Sequence, residues 1–283
     1  MEPTVSGETL LEVRDLSVSF AHGKAARPAV DRLSYSLRAT ETLAIVGQSG
    51  SGKTVSCRAL MGLLPQSARV SGSMRFLGQE LLNLGERQMR SVRGAGIAMI
   101  FQDPARSLNP TMRVGDQIVE VLRQHRRLTG AEARTEAVNL LHKVRFSHPD
   151  ELLFAWPHQL SGGMQQRIMI VMALASRPRV LIADEATKSL DVITQAGVLR
   201  LLKDLQSESG MALVLITHDL RIAAGTSSYV LVMHEGRLVE QGHPSDVLSR
   251  PKHDYTRALL DAVLPGPVIV GRTDTAARTG LFG

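Results

Sequence analysis

Hydrophobic and polar residues alternate in the first part of the chain. Leu16, Val18 and Phe20 alternate with polar residues in the stretch 11–20, and residues 33–37 repeat the pattern. A period of two is typical of strands that bury one face. The next run, residues 42–46, is continuous and apolar. It predicts a strand that is buried on both faces.

Helical spacing follows these strands. Residues 54–64 are predicted to form a helix that Pro65 ends, and a longer region of helical character begins after Thr111. In that region apolar residues recur three and four positions apart, with charged residues between them: Val114, Ile118, Val121, Leu122, Ala137, Leu140, Leu141 and Val144. We therefore predict an inserted helical region over about residues 111–168.

Strands are predicted again after residue 179. Apolar runs at residues 180–183, 212–216 and 229–233 are each bounded by turns or helical segments. Strands that alternate with helices in this way predict a mainly parallel sheet covered on both faces, and hence an α/β fold. We expect one domain over residues 1–264, with its core at 9–110 and 169–250, and a tail without periodicity at 265–283.

Composition excludes several classes of protein. The chain has 283 residues, of which 43% are hydrophobic and 21% charged, so it can bury a core. Its apolar runs fall short of the roughly 18–20 residues that a membrane span needs, and residues 1–12 lack the pattern of a secretory signal. Cys57 is the single cysteine, which excludes an intrachain disulfide and a four-cysteine metal site. These features favour a cytosolic compartment.

The net charge is +6, from 33 Lys and Arg against 27 Asp and Glu. This excess is compatible with nucleic acid, an anionic membrane surface or a phosphate-bearing ligand as a partner. An arginine-rich surface in contact with water explains it equally well. Composition leaves these alternatives open.

The clearest candidate chemistry directly follows the strand at residues 42–46. Residues 47–54, GQSGSGKT, fit the pattern G-x-x-x-x-G-K-[ST]. The glycines let backbone N–H groups converge on phosphate oxygens, and the following helix adds its positive end. Lys53 would reach the outer phosphates of a nucleotide, and Thr54 would offer a hydroxyl to Mg²⁺. A glycine-rich turn with a solvated lysine is the plainer alternative.

Polar residues also end two later strands. Asp184 and Glu185 follow the run 180–183, and acids at such a strand end are costly unless they face a cation or a reacting centre. Because side chains alternate along a strand, we assign Asp184 to the Mg²⁺ shell and Glu185 to a water in line with the γ-phosphate. His218 would contact the same phosphate. Taken alone, a helix-capping pair and a structural histidine would explain these residues.

A second anion site is predicted at residues 160–167, LSGGMQQR. Ser161 and the paired glycines Gly162 and Gly163 precede a predicted helix, whose exposed N–H groups would bind an anion together with the serine hydroxyl. If both anion sites serve one nucleotide, either the two lobes fold together or two chains meet.

Together these motifs resemble the nucleotide-binding subunit of an ATP-binding cassette (ABC) transporter, over nearly the whole chain. Residues 47–54 match the Walker A segment, 180–185 the Walker B segment and 160–167 the family signature. The resemblance implies a P-loop NTPase core of the RecA-like type, with an antiparallel β subdomain and an inserted α-helical subdomain. It also implies ATP and Mg²⁺ as cofactors.

The resemblance also implies roles for single residues. Phe20 corresponds to the aromatic residue that stacks on adenine, and residues 189–191 are similar to the family's D-loop. The implied catalytic residues are Glu185, His218 and Gln102, and the implied Mg²⁺ contacts are Thr54, Gln102 and Asp184. The implied nucleotide contacts are Phe20, Gly47, Gln48, Ser49, Gly50, Ser51, Gly52, Lys53, Thr54, Ser161, Gly162, Gly163, Gln165 and Asp191.

Members of this family work in assemblies. Two ATPase subunits pair head to tail, so that the signature of one covers ATP bound by the other. The implied partners are a second, related but non-identical ATPase subunit, two membrane-spanning permease subunits and an extracytoplasmic solute-binding protein, and nucleic acid is not expected. The chain would lie at the cytoplasmic face of the inner membrane, as a peripheral protein.

Finer details indicate one branch of the family. Residues 101–104, 107–110 and 251–260 are similar to those of bacterial peptide, opine and nickel importers. Import of di- or oligopeptides is therefore expected, with nickel or metal-chelate import, or a soluble cassette ATPase acting on nucleic acid or ribosomes, as alternatives. The chain departs from the family's Pro-Thr-Thr at residues 186–188, which are Ala-Thr-Lys. Loss of the proline loosens the backbone near Glu185, and Lys188 adds a charge.

Overall fold

The computed structural model describes residues 7–20, 28–188 and 190–262. Its strands are β1 (Thr9–Phe20), β2 (Val30–Arg38), β3 (Thr42–Val46), β4 (Ala68–Phe76), β5 (Gln79–Glu80), β6 (Ile97–Ile100), β7 (Val180–Asp184), β8 (Ala212–Thr217), β9 (Tyr229–His234) and β10 (Arg237–Gly242). Its α-helices are α1 (Lys53–Leu60), α2 (Glu86–Val92), α3 (Pro104–Ser107), α4 (Val114–Arg126), α5 (Gly130–Lys143), α6 (Pro149–Leu152), α7 (Gly162–Ala175), α8 (Val192–Ser209), α9 (Leu220–Thr226), α10 (Pro244–Ser249) and α11 (Asp254–Asp261). A 3₁₀ turn covers Pro157–Gln159.

The described strands form two sheets. One is antiparallel, in the order β2-β1-β4-β5. The other has the order β10-β9-β3-β8-β7-β6, in which β10 is antiparallel to β9 and the remaining neighbours are parallel. Helices connect the parallel strands, as they must, because a parallel pair cannot be joined by a tight turn. The predicted α/β fold with an antiparallel β subdomain is confirmed.

The register of the parallel sheet brings several strand ends to one edge. Val46 at the end of β3 pairs with Thr217 of β8, and Asp184 at the end of β7 pairs with Ile216. Ile100 at the end of β6 pairs with Ala183. The residues that follow these four strands therefore lie along the same carboxyl edge, where ligands bind in open α/β sheets.

The helices α4, α5 and α7 share a core with one face of the parallel sheet. Ile118, Leu122, Leu141 and Ile168 are fully buried there, together with residues of β6 and β7. The apolar spacing predicted a helical region here, and helices are found. Helix α7 runs across the boundary predicted at residue 168, so the limits of the insertion stay a prediction.

The helix after the glycine-rich loop is shorter than predicted. It ends at Leu60, whereas the sequence pattern predicts an end at Leu64. Gly62 has a φ of +59°, the left-handed conformation with which glycine commonly ends a helix. The Arg93 guanidinium donates to Met61 O and Gly62 O, so the free carbonyls at this end are satisfied by a side chain. The glycine, and not Pro65, ends the helix.

Two sequence predictions lie outside the described residues. These are the tail at 265–283 and the first residue of the segment 189–191. In the parts of the chain that are described, every helix is too short or too polar to cross a membrane.

Candidate nucleotide site

The glycine-rich loop packs against its neighbours so closely that side chains would not fit at two of its positions. A Cβ atom at Gly47 would lie 2.2 Å from the carbonyl oxygen of Met233, and one at Gly52 would lie 2.4 Å from that of Ala29. Gly52 also has a φ of +100°, which L-residues with side chains rarely adopt. It is the residue before α1, so the loop delivers the backbone directly to the start of a helix.

Lys53 lies inside the loop that it follows. Its side chain is 4% exposed, and Nζ donates to Gly47 O at 2.7 Å, to Gln48 O at 2.8 Å and to Ser51 Oγ at 3.3 Å. Burial lowers the pKa of Lys53, while the nearby charges of Glu185 and Asp184 act in the opposite direction. The loop therefore holds a buried ammonium group through its own carbonyls, and these bonds can be exchanged for bonds to an anion.

A hydrogen bond joins this loop to the end of β7. Thr54 Oγ1 donates to Asp184 Oδ1 over 2.8 Å. Burial raises the pKa of the Asp184 carboxyl and the charge of Glu185 acts in the same direction, whereas the bond from Thr54 lowers it. An ionised carboxylate that is 2% exposed and beside a second carboxylate is stabilised by a nearby cation.

The Thr54–Asp184 pair fits Mg²⁺. Mg²⁺ takes oxygen ligands and is usually held by one or two protein groups together with substrate phosphates. In the described part of the chain no group of three or more His, Cys, Asp or Glu side chains is arranged to hold a metal. A hydroxyl and a carboxylate next to a phosphate-binding loop match the usual arrangement.

Glu185 has an unusual backbone conformation for a residue with a side chain. Its φ is +45°, and its N–H donates to Ile216 O at 3.1 Å. A left-handed conformation of a non-glycine residue costs on the order of 1 kcal/mol, and Glu185 shares it with eight other described non-glycine residues. The turn therefore directs the Glu185 carboxylate differently from Asp184 directly before it.

The Glu185 carboxylate is paired with a lysine. Oε2 lies 2.7 Å from Lys188 Nζ, and the Glu185 side chain is 9% exposed. The angles of this contact do not meet hydrogen-bond geometry, so among the described groups Oε2 has an ion pair without a hydrogen bond. The sequence shows that Lys188 adds a positive charge in this region. Only the folded structure shows that its ammonium group pairs with the Glu185 carboxylate.

Three further predicted residues lie at the periphery of this site. Gln102 lies two residues after the end of β6, and His218 directly follows β8, both at the carboxyl edge of the sheet; both are exposed. Phe20 is the last residue of β1, pairs with Ala68 and packs partly buried against the core. The register thus places Gln102 and His218 on the same edge as Lys53, and Phe20 on the antiparallel sheet.

The signature residues form a separate group. Ser161 precedes α7, and its Oγ accepts a hydrogen bond from Met164 N at 3.3 Å. Gln165 Nε2 donates to Pro157 O at 2.8 Å, and a Cβ at Gly163 would lie 3.0 Å from Thr194 of α8. Asp191 precedes α8 and accepts from Ile193 N and Thr194 N at 3.1 and 3.0 Å.

This group presents an open surface. Ser161, Gly162 and Asp191 are exposed, and a Cβ at Gly162 would meet nothing within 4 Å. The hydrogen bond to Thr194 holds the pKa of Asp191 below its usual value. The signature segment begins a helix, as its sequence predicts. In the described contacts, Ser161, Gln165 and Asp191 each form hydrogen bonds with backbone groups of their own segment.

One residue at the site was not singled out from the sequence. Tyr255 of α11 places its hydroxyl 2.9 Å from Gln48 N in the glycine-rich loop. The segment 251–260 has a branch-specific pattern, but nothing in that pattern indicates a contact with residues more than 200 positions away. Only the packing of α11 reveals it.

Comparisons with known proteins agree with these features. The family model described as ABC transporter matches residues 30–188. The oligopeptide transport ATP-binding protein OppD of Salmonella typhimurium is 50% identical over 254 residues, which are 90% of this chain and 76% of that protein. The dipeptide transport ATP-binding protein DppD of Escherichia coli is 48% identical over 255 residues, or 90% of this chain and 78% of that protein.

A solved structure supports the fold. The structure of cbiO1 from Clostridium perfringens, part of the ABC transporter complex cbiONQ, has a TM-score of 0.72 and 28% sequence identity. The match covers 86% of this chain and 92% of that chain. With a matching family model and relatives of such high identity, this chain belongs to the ABC transporter family and is one of its nucleotide-binding ATPases.

Proposed function

We propose that the chain is the ATPase subunit that energises a bacterial importer of di- and oligopeptides. The observation that carries this proposal is the bond between Thr54 and Asp184, with Glu185 directly after it. It unites a phosphate-binding loop, a cation-binding carboxylate and a second carboxylate at one edge of the sheet. The cargo is suggested by the relatives, which are named as oligopeptide and dipeptide transport ATP-binding proteins.

The nucleotide is proposed to bind across the loop and the start of α1. Backbone N–H groups of Ser49, Gly50, Ser51 and Gly52 face the phosphates, as in other glycine-rich loops, and Gly47 and Gln48 border them. Lys53 exchanges its bonds to loop carbonyls for bonds to the β- and γ-phosphates. Phe20 stacks on the adenine ring.

Thr54, Asp184 and Gln102 are proposed to surround Mg²⁺. When bound, the ion neutralises charge on the phosphate oxygens and orients them. Asp184 is already oriented by Thr54, so its carboxylate needs little rearrangement. Gln102 is exposed at the same edge and would supply an amide oxygen to the ion.

Hydrolysis is proposed to use Glu185 as the general base. The carboxylate accepts a proton from a water as the water oxygen bonds to the γ-phosphorus, while the bond to the leaving ADP oxygen breaks. His218 orients this water and contacts the γ-phosphate. The ion pair with Lys188 occupies Oε2, so the lysine must move aside, or the other carboxylate oxygen must accept the proton.

The signature surface is proposed to complete the site of a second ATPase subunit. Ser161, Gly162 and Gly163 open α7 toward solvent, and Gln165 and Asp191 border them. The proposed assembly contains two ATPase subunits, two membrane-spanning permease subunits and an extracytoplasmic solute-binding protein. The chain itself would lie on the cytoplasmic side of the membrane, bound to the permease subunits.

Uptake measurements test the cargo. Deletion of the gene in its host is expected to abolish uptake of a labelled dipeptide or tripeptide, and the wild-type gene is expected to restore it. A gene encoding Lys53→Ala is the matched control, since this variant lacks the ammonium group but keeps the signature surface. Loss of chelated nickel uptake with normal peptide uptake would overturn the proposed cargo in favour of metal import.

A further inference from the structure

The hydroxyl of Tyr255 connects the C-terminal helix α11 to the phosphate-binding loop. It accepts a hydrogen bond from the backbone N–H of Gln48 at 2.9 Å, across 207 positions of sequence. Gln48 is the second residue of the loop. A side chain from a helix that is distant in sequence thus forms a hydrogen bond with the backbone of the proposed nucleotide site.

The bond acts on a peptide group that Lys53 also holds. The N–H of Gln48 and the C=O of Gly47 belong to one peptide unit, and Lys53 Nζ donates to that carbonyl at 2.7 Å. Because C=O and N–H of a trans peptide point in opposite directions, the unit is held from both sides. A hydrogen bond on one side of a peptide polarises it and strengthens the bond on the other side.

Several contacts fix the position of the tyrosine ring. The ring of Tyr255 stacks on that of His234 at the end of β9, with centroids 3.9 Å apart and planes 25° apart. His253 Nδ1 accepts a hydrogen bond from Tyr255 N at 3.1 Å and so caps α11. The Glu240 carboxylate of β10 accepts from Lys252 N at 2.9 Å and from His253 N at 3.1 Å.

The helix also shares an apolar core with the strand that leads into the loop. Leu259 of α11 is 7% exposed and shares a small core with Val46 of β3 and Val232 of β9, against which Tyr255 is partly buried. Val46 directly precedes Gly47. The same helix therefore belongs to the apolar core that contains the end of β3 and binds the loop through a hydrogen bond.

We propose that Tyr255 is a positioning residue for ATP binding, which keeps the Gly47–Gln48 peptide in place when Lys53 moves to the phosphates. As Lys53 exchanges bonds to the loop for bonds to the phosphates, the Gly47–Gln48 peptide keeps the bond to Tyr255. The loop stays in its binding conformation, and less ordering is needed when the nucleotide binds. This inference rests on the proposed role of the loop in ATP binding.

The test compares Tyr255→Phe with the wild type by calorimetric titration with ATP. The phenyl ring keeps the stacking on His234 and loses only the hydroxyl, so the nucleotide-free protein should unfold at nearly the same temperature. We expect ATP affinity to fall about threefold to tenfold, the range that corresponds to one hydrogen bond. We also expect faster deuterium exchange of the Gln48 amide in the nucleotide-free chain.

Two controls separate the possible outcomes. Tyr229→Phe removes the hydroxyl of a tyrosine that is 42% exposed and should leave ATP affinity unchanged. Lys53→Ala should abolish most of the binding, and ATP binding that survives it would contradict the proposed site itself. If Lys53→Ala is defective but Tyr255→Phe binds ATP within a factor of two of the wild type, or leaves Gln48 exchange unchanged, the role of Tyr255 is overturned.

Discussion

Two helix starts in this chain are predicted to bind phosphate, and their surroundings differ. At α1 the flanking side chains of Ser51 and Lys53 are each 4% exposed, and the Lys53 ammonium is held by loop carbonyls. At α7, Ser161 and Gly162 are exposed, and a Cβ at Gly162 would touch nothing. One start is enclosed by its own chain, whereas the other faces solvent.

In the proposed assembly, this difference would divide one nucleotide site between two subunits. The enclosed start brings a cation, a hydroxyl and two carboxylates together, so binding and chemistry depend on contacts within one chain. The open start offers N–H groups and a serine hydroxyl, so we expect it to bind a phosphate only when another surface covers it. Variants on the two sides should therefore affect different measurements.

The largest effect is expected on the enclosed side, from Glu185→Gln. The amide keeps the size of the side chain but is a very weak base, so ATP hydrolysis should slow by about 10²- to 10⁴-fold. ATP affinity should change little, because Lys53 and the loop are intact. Steady-state phosphate release from the assembled transporter measures the rate, and an unchanged rate would mean that another group is the base.

A smaller effect is expected on the open side, from Ser161→Ala. Loss of a hydrogen bond to a charged phosphate should weaken ATP-dependent association of the ATPase subunits about tenfold or more. The affinity of the isolated subunit for ATP should change less than twofold. Analytical ultracentrifugation with ATP in the Glu185→Gln background measures the association.

Thr129→Ala is the matched control for Ser161→Ala. Thr129 also precedes a helix and accepts from Glu132 N at 3.4 Å, so both variants lose a helix cap. Each loss typically costs about 1 kcal/mol of stability. If Thr129→Ala weakens association as much as Ser161→Ala does, the effect reports helix stability and not the signature surface.

The smallest effect is expected from Lys188→Ser. This variant tests whether the ion pair with Lys188 limits the action of the Glu185 carboxylate as a base. Lys188 is 43% exposed, and such ion pairs contribute up to about 1 kcal/mol. Release of Glu185 should raise the ATPase rate of the isolated subunit by up to about fivefold. A lower rate would instead show that Lys188 supports the reaction.

Lys143→Ser provides the comparison for this variant. Lys143 is 56% exposed, and its Nζ lies 3.7 Å from Glu208 on the helical side of the molecule. The substitution removes an ion pair that is longer and more exposed than that of Lys188, at a distance from the carboxyl edge. The ATPase rate of this variant should equal that of the wild type.

Much of the site could be predicted because its residues are close in sequence. The loop at residues 47–54 and the pair Asp184 and Glu185 each follow an apolar strand, so their geometry is set by strand, turn and helix alone. Strand β4 was not predicted, although Ala68, Val70, Met74 and Phe76 alternate with polar residues along it. Gly72 stands where the alternation would place another apolar residue, which weakens the pattern. The end of α1 was misplaced because the left-handed Gly62 precedes Pro65.

Other features depend on contacts that sequence separation conceals. The Lys188–Glu185 ion pair depends on the left-handed turn at Glu185, and left-handed conformations are unusual for glutamate. The bond from Gln48 to Tyr255 depends on where α11 packs. Neither the charge of Lys188 nor the aromatic ring of Tyr255 indicates which residue it contacts.

The sequence by itself determined six of the ten described strands, the helical region and the family, because these follow from local periodicity and from motifs whose residues are neighbours along the chain. The tertiary structure decided which of these residues meet. In the folded chain Thr54 donates a hydrogen bond to Asp184, Lys188 pairs with the Glu185 carboxylate, and the Tyr255 hydroxyl accepts a hydrogen bond from the glycine-rich loop. Such contacts arise from the register of parallel strands and the packing of helices onto them, and these are properties of the folded chain as a whole.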